Sequence, residues 1–408
     1  MDWQHENGNR GIDVEVLRRN FREIDFSLIG ILLVIAVYSC VALLAATFGK
    51  SGGDVPAHIV TKQVIFEVLG IGVMIVTAAF DYRSLRKVHW WIYGISIFLL
   101  IVVFGFHATA GAHSWIPIGS QGLQPSEFAK LGLILSLAAY MADIDESEFP
   151  DYSLKRSVPI FVLFLVPFLL VLKEPALGQA LVMFAIVITM YVVFAQRSHF
   201  LLATSSLLVV IGVISVIAAG FSQQTADWLV QQQDFLDSHH IMHGYQLDRI
   251  ISWLDPNYKP LGAGFNVHHA FLAVGSGQVF GEGLFNGAQT RGGWVPNQWT
   301  DYIFTAIAEE FGFVGSATLI LLFLMLIYRL VKISSTSQDA FGTYVIIGVV
   351  GMFAFQVFEN VGMNLYMSPS TGITLPFISY GGSSLIANYM AVGLALSVSL
   401  RKKKLRFA

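Results

Sequence analysis

Stretches of about twenty consecutive apolar residues recur along this chain, and no other feature constrains its fold so tightly. A helix needs about 20 such residues to cross the hydrocarbon core of a bilayer. Runs of this kind lie near residues 26–48, 63–80, 88–106, 125–142, 158–172, 177–195, 200–221, 302–328, 343–365 and 382–400. The fifth is short and contains Pro167, which predicts a tilt or kink. Of 408 residues, 55% are hydrophobic and only 12% are charged, against roughly 25% in soluble domains. The expected fold class is an all-α polytopic membrane protein with about ten transmembrane helices.

Lys and Arg set the direction, because short cytoplasmic loops hold an excess of them. With the N-terminus inside, the inner set runs Arg10, Arg18, Arg19, Arg22, Arg83, Arg86, Lys87, Lys155, Arg156, Arg197, Arg329, Lys332, Arg401, Lys402, Lys403, Lys404 and Arg406, 17 of the 24 basic residues. Six fall outside (Lys50, Lys62, Lys173, Arg249, Lys259, Arg291), and Lys130 lies within a span. Both termini are therefore expected in the cytoplasm. Residues 1–25 are polar and read as a cytoplasmic tail rather than a cleavable signal peptide. Residues 26–400 read as one ten-helix membrane domain, and 401–408 as a basic cytoplasmic tail. RKKKLRF directly follows a span, which favours an anchor at anionic lipid over a nucleic-acid patch. Cys40, the one cysteine, excludes an intrachain disulfide and a cysteine metal cluster.

Residues 222–301, between the seventh and eighth spans, form a loop far longer than the rest and fall on the outer side. Four tryptophans (Trp228, Trp253, Trp294, Trp299) and the turn signals DPN at 255–257 and GAG at 262–264 predict an ordered loop with short amphipathic helices. Its GxG patterns (GSGQVFGEGLFNG, 275–287) lack the preceding strand of a dinucleotide site. His239, His240 and His243 have spacing a metal could use, but no partner pattern supports it, and solvated loop histidines are the simpler reading.

Ionisable side chains at membrane depth are costly, so each is a candidate for function or for a structural pair. Glu127 and Lys130, three residues apart, share a helical face and can neutralise each other. Glu309 and Glu310 lie in the eighth span, Glu359 in the ninth and Glu67 in the second. Asp301 stands where the long loop meets the eighth span. A carboxylate there can serve as a general base on a hydroxyl or cap the helix that follows.

Several long segments resemble the signatures of one family. TLPFISYGGSS (374–384), WIPIGSQGLQPSEFAK (115–130), the EPALG turn (174–178), AVGSGQVFGEGL (273–284) and TDYIFTAIAEEFGFVG (300–315) are similar to motifs of the SEDS family of shape, elongation, division and sporulation proteins, in the family's order. The resemblance implies a peptidoglycan glycosyltransferase that polymerises lipid II into β-1,4 glycan and releases undecaprenyl pyrophosphate. It implies a multi-pass protein of the bacterial cytoplasmic membrane with its active site on the extracellular face. Asp301 matches the family's catalytic aspartate; Gln124, Glu127 and Lys130 match polar positions near the lipid-linked substrate, and Trp115 and Ser383 fall in matching motifs. In the mechanism this implies, Asp301, ionised at the ordinary carboxylate pKa of roughly 3.9, takes the proton of the acceptor 4-hydroxyl as it attacks C1. Lys130 and Arg249 then offset pyrophosphate charge, with a divalent cation (Mg or Mn) as a possible cofactor. A class B penicillin-binding protein is the implied partner and nucleic acid is not. The ISWLDP and VPNQWTDYIF segments look closer to the elongation branch than to the division branch.

Four positions depart from the family pattern. Ser114 and Gly122 replace arginines, Ala176 replaces the aspartate of a P-D-L-G turn, and Asn297 replaces a glutamate. These departures leave a catalytically silent scaffold for cell-wall synthesis standing as one alternative, and the many spans and intramembrane charges leave a lipid II flippase as another.

Overall fold

The computed structural model describes residues 25–48, 58–106, 114–118, 121–148, 152–174, 176–195, 223–238, 244–255, 258–259, 262 and 264–401. The N-terminal tail before residue 25, the seventh run at 200–221, His239, His240, His243 and the basic tail beyond Arg401 lie outside them. The long helices are α1 (Phe26–Thr47), α2 (Ile59–Ala79), α3 (Tyr82–Val102), α4 (Pro125–Asp145), α5 (Leu154–Lys173) and α6 (Leu177–Ala195). After them come α7 (Gln223–Ser238), α8 (Gly244–Leu254), α9 (Phe265–Ser276) and α10 (Ala288–Gly292) in the long loop, then α11 (Ile303–Ser335), α12 (Ala340–Asn364) and α13 (Gly382–Leu400).

Eight of the described helices are long and apolar enough to cross a membrane. The 21-residue α4 carries Glu127 and Lys130 yet is buried along nearly its whole length, so neighbouring helices rather than lipid receive its charges. Large apolar side chains turn outward instead: Val37 on α1, Ile75 on α2, Trp91 on α3, Leu169 on α5 and Tyr328 on α11 are more than half exposed. Such a surface suits hydrocarbon and not water. The core lies where α4, α6, α12 and α13 pack together, with α2 against α13, α3 against α4 and α1 against α11.

Aspartates open three of the long helices. Asp25 accepts from the Leu28 N–H at 3.1 Å, Asp81 from Arg83 at 3.0 Å and Asp339 from Gly342 at 2.7 Å. Each satisfies a backbone donor that the first helical turn leaves unpaired. Asp339 also takes the Tyr82 hydroxyl at 2.8 Å and the Arg83 guanidinium at 3.1 Å, locking α3 to α12 at one end of the bundle.

One feature was absent from the expected layout. Ile116–Ile118 and Gln121–Leu123 pair as a short antiparallel hairpin, with Ile116 opposite Leu123. A three-residue strand is too short to show an alternating pattern in sequence.

The eighth span is broken rather than continuous. At Gly312 the backbone takes φ 64° and ψ −160°, a conformation open to glycine. The N–H groups freed beyond the break, Phe313 and Val314, donate to the carbonyls of Gln278 and Val279 at 2.9 and 3.1 Å. Before the break, the carbonyls of Glu309 and Glu310 accept from Glu282 and Gly283 at 2.9 and 3.2 Å. The loop segment 278–283 thus supplies the hydrogen bonds the helix gives up, the condition under which a broken helix survives at membrane depth. Two segments singled out in the sequence, 273–284 and 300–315, are therefore direct partners.

Candidate active site

Asp301 sits in a turn that α11 does not fix alone. Asn297 starts the turn at φ 53°, and its carbonyl accepts from Thr300 and Tyr302 at 3.0 and 3.3 Å. Asparagine tolerates this left-handed backbone better than most residues, which gives the departure from glutamate at this position a physical basis. The turn is pinned to the segment before α13: Tyr380 donates its N–H to the Trp299 carbonyl at 2.9 Å, and Ser379 its hydroxyl to Thr300 at 2.7 Å. From α12, the Asn360 amide donates to the Asp301 carbonyl at 2.8 Å, and Asn364 adds a longer contact at 3.4 Å.

The Asp301 side chain does not cap α11. Tyr302 occupies the cap position and no side-chain hydrogen bond closes the helix, so the capping reading is corrected. The carboxylate faces Arg249 of α8 across Gly372. A Cβ built on Gly372 would lie 3.5 Å from Asp301 Oδ2 and 3.4 Å from Arg249 Nη1, and Gly372 itself has φ 73°. Arg249 Nη1 donates to the Ser370 carbonyl at 3.2 Å, in the same turn. Burial pushes the Asp301 carboxyl above the ordinary range and the Arg249 charge pulls it back, with burial winning. Asp301 therefore holds a proton more firmly than the ordinary value expected from sequence, while the retained cation keeps the ionised form accessible.

A second polar cluster lies on the other side of that turn. Lys130 Nζ is 2.8 Å from Glu127 Oε2, both side chains being sealed from solvent. Gln179 of α6 donates to the other Glu127 oxygen at 2.7 Å. Next to it, a Cβ on Gly178 would fall 2.7 Å from the Thr371 carbonyl. Residues 371–373 are thus flanked by Gly178, beside the Glu127 cluster, and by the Asp301–Arg249 pair. The turn is itself tied to α12, where Glu359 accepts from Thr371 Oγ1 at 2.9 Å and Asn360 donates to the Ile373 carbonyl at 2.7 Å.

The remaining sequence candidates fall nearby with different duties. Ser383 donates to the Gly122 carbonyl and accepts from the Gln124 N–H, both at 3.1 Å, so its hydroxyl fastens the hairpin to α13. Gln124 precedes α4 without capping it through its side chain. Trp115 is partly exposed and lies over Gly122, where an added Cβ would meet its ring at 2.7 Å. A longer residue at 122 would have to displace the tryptophan. Ser114 is buried and donates to the Glu174 carbonyl at 3.2 Å. No contact in the structure accounts for Ala176 in place of aspartate.

Lys130 is enclosed against Glu127, so of the two cations named for pyrophosphate, Arg249 is the one beside Asp301. The four membrane-depth glutamates also differ from the ion-paired reading. Among the described residues none of them forms an ion pair; neutral donors hold all four. Glu309 accepts from Gln289 N at 2.6 Å, Thr290 N at 2.8 Å and the Thr290 hydroxyl, and Glu310 from Phe285 N at 2.8 Å. Glu359 takes Thr371 as above, and Glu67 takes the hydroxyl of Tyr389 and, at 3.4 Å, the amide of Gln63. Gln179, Asn360 and Asn364 were not singled out in the sequence. They are neutral amides inside apolar runs, where only an ionisable group stands out by its cost at membrane depth. Among the described residues no three His, Cys, Asp or Glu converge to hold a metal ion, and the donor set at Asp301, one carboxylate facing a guanidinium, does not fit a resident cation.

Fold and site define a multi-pass helical membrane protein with a carboxylate–guanidinium site where a loop meets a membrane helix. The family model described as "Cell cycle protein", covering FtsW, RodA and SpoVE, matches residues 24–404. The chain belongs to this family, the SEDS proteins of the bacterial membrane. It is 33% identical over 343 residues to stage V sporulation protein E of Bacillus subtilis (strain 168), covering 83% of this chain and 86% of that one. It is 31% identical to peptidoglycan glycosyltransferase RodA of Treponema pallidum (strain Nichols), over 93% of this chain and 98% of the relative. With peptidoglycan glycosyltransferase MrdB of Escherichia coli (strain K12) it shares 32% identity over 94% and 95%. In three dimensions it resembles a chain from a structure described as structural coordination of polymerization and crosslinking by a peptidoglycan synthase complex. The TM-score is 0.70 at 28% identity, over 93% of this chain and 99% of that one. Rod shape determining protein RodA of Thermus thermophilus gives a TM-score of 0.62 at 25% identity, over 93% and 98%.

Proposed function

We propose that this chain polymerises lipid II into β-1,4 glycan at the outer face of the cytoplasmic membrane, releasing undecaprenyl pyrophosphate, in the manner of RodA and in the service of elongation. Its enzyme class follows from kinship: relatives aligned over more than nine tenths of the chain are peptidoglycan glycosyltransferases, and so is this protein. In keeping with that class, 26–400 forms one membrane domain whose long outer loop, 222–301, delivers Arg249 and Asp301 to the site. A class B penicillin-binding protein is the partner that would crosslink the product. The resemblance to a chain of a peptidoglycan synthase complex supports this pairing.

The observation that carries the proposal is the Asp301–Arg249 pair. As the acceptor sugar's 4-hydroxyl attacks C1 of the donor, the new O4–C1 bond forms and the C1–oxygen bond to pyrophosphate breaks. The hydroxyl proton passes to Asp301. A carboxylate with raised proton affinity is a better base than an ordinary one. Arg249 favours its ionised form against burial and offsets charge on the departing pyrophosphate. The departing pyrophosphate takes the C1–oxygen electron pair and spreads the added negative charge over its phosphate oxygens, so little acid catalysis is needed on that side.

The test is glycan synthesis from purified lipid II by the wild-type chain with its partner and by Asp301→Asn. A loss of about 10²-fold or more in the folded variant is expected for a missing general base. Equal product from both would remove Asp301 from the chemistry. A wild-type protein that moves lipid II across vesicles without polymerising it would favour a flippase.

A further inference from the structure

Asn360 of α12 is fully buried, and its side-chain nitrogen makes two hydrogen bonds at once, to the Asp301 carbonyl at 2.8 Å and to the Ile373 carbonyl at 2.7 Å. An amide nitrogen has two hydrogens, and both are spent here. Among the described residues the amide oxygen has no partner. Turning the amide over would set that oxygen against two carbonyl oxygens, so the orientation is fixed by its surroundings.

The two carbonyls belong to separate pieces of chain. One carries the Asp301 carboxylate at the head of α11. The other ends the 370–373 turn, whose Ser370 carbonyl holds Arg249 Nη1 at 3.2 Å and whose Gly372 separates Arg249 from Asp301. Among the described residues, Asn360 is thus the single side chain bonded to both the backbone of Asp301 and the turn against which Arg249 rests. Asn364, one helical turn on, reinforces the arrangement: it donates to the Asn360 carbonyl at 2.7 Å and accepts from Thr305 of α11.

We infer that Asn360 is a positioning residue for glycosyl transfer, setting the separation of the Asp301 carboxylate and the Arg249 guanidinium by clamping the two backbone segments that carry them. This rests on Asp301 acting as the base. Asn360 touches no reacting atom. Its contribution is geometric, and small displacements of a base cost rate steeply. Serine keeps one donor and loses the clamp, whereas alanine loses both donors.

The experiment compares wild type, Asn360→Ser, Asn360→Ala and Asp301→Asn, each as the full chain with its partner, for lipid II polymerisation, thermal unfolding and pH–rate profile. Asn360→Ser is expected to keep its melting temperature near wild type while kcat falls about tenfold and KM changes less than about twofold, the pattern of an interaction used only in the transition state. The acid limb of its pH–rate profile should also move, because the distance between Asp301 and Arg249 has changed. If Asn360→Ala fails to fold, Asn360→Ser decides alone. Wild-type kcat and an unmoved profile in folded Asn360→Ser, with Asp301→Asn inactive, would overturn the positioning role and leave the base assignment standing. Activity retained in Asp301→Asn would instead overturn the base on which it rests.

Discussion

Lys130 and Glu127 meet at 2.8 Å in a place neither solvent nor lipid reaches, and Gln179 occupies the second carboxylate oxygen. Removing one charge strands the other inside the bundle, which typically costs about 3–5 kcal/mol, whereas removing both at once costs far less. Lys130→Met should therefore unfold at markedly lower temperature than wild type, and Lys130→Met with Glu127→Gln should recover most of the loss. A thermal-unfolding double-mutant cycle measures the coupling. Additive losses would mean that the two charges do not depend on each other.

Glu309 gathers three donors from residues 289–290, and so ties the loop before Asp301 to α11. Each such hydrogen bond contributes on the order of 1 kcal/mol, and its loss is felt locally first. Glu309→Ala should leave α4, α12 and α13 protected from hydrogen exchange while residues 282–292 exchange at least about tenfold faster. Uniform loosening of the whole bundle would contradict the local role.

These two cases show what was legible beforehand. The Glu127–Lys130 pair could be read from spacing, because residues three apart on a helix must be neighbours. Nine of the ten apolar runs have a long helix at their place, since length and hydropathy are local properties. The seventh run lies outside the described residues. Glu309 was visible as a charge, but its partners at 289–290 were not, because they approach through the fold rather than along the chain. Asp301 shows the same limit. Capping is a local rule that favoured one reading, and the tertiary contact with Asn360 and the neighbourhood of Arg249 favoured another. The break at Gly312 was hidden for a related reason: its hydrogen bonds are made by a segment about thirty residues earlier.

Arg249 lowers the proton affinity of Asp301 against the larger, opposite effect of burial. As the proposed base, Asp301 would work only when ionised, so activity is lost as pH falls through its pKa. Without Arg249 the carboxylate holds its proton to higher pH. Arg249→Gln should therefore shift the acid limb of the polymerisation rate to higher pH. The plateau should also drop by about tenfold or more, since a cation facing developing negative charge is removed. A pH–rate profile from purified lipid II checks both. A limb that stays in place or moves to lower pH would show that Arg249 does not act on Asp301.

Glu174, in the turn between α5 and α6, is fully buried, and among the described residues neither carboxylate oxygen has a hydrogen-bond partner. Burial pushes its carboxyl up to about 8. In the unfolded chain it would titrate near the ordinary glutamate value of roughly 4.3. Between those two values the folded protein holds a proton that the unfolded chain has released, so stability falls as pH rises through this window. Below it both states are protonated and the effect vanishes. Glutamine reproduces the neutral form at every pH. Glu174→Gln should thus match wild type in acid and gain about 2–4 °C in melting temperature above pH 8. Melting curves across the range decide it: a gain that is the same in acid and in alkali would mean that glutamine packs better, and that the ionisation of Glu174 carries no cost.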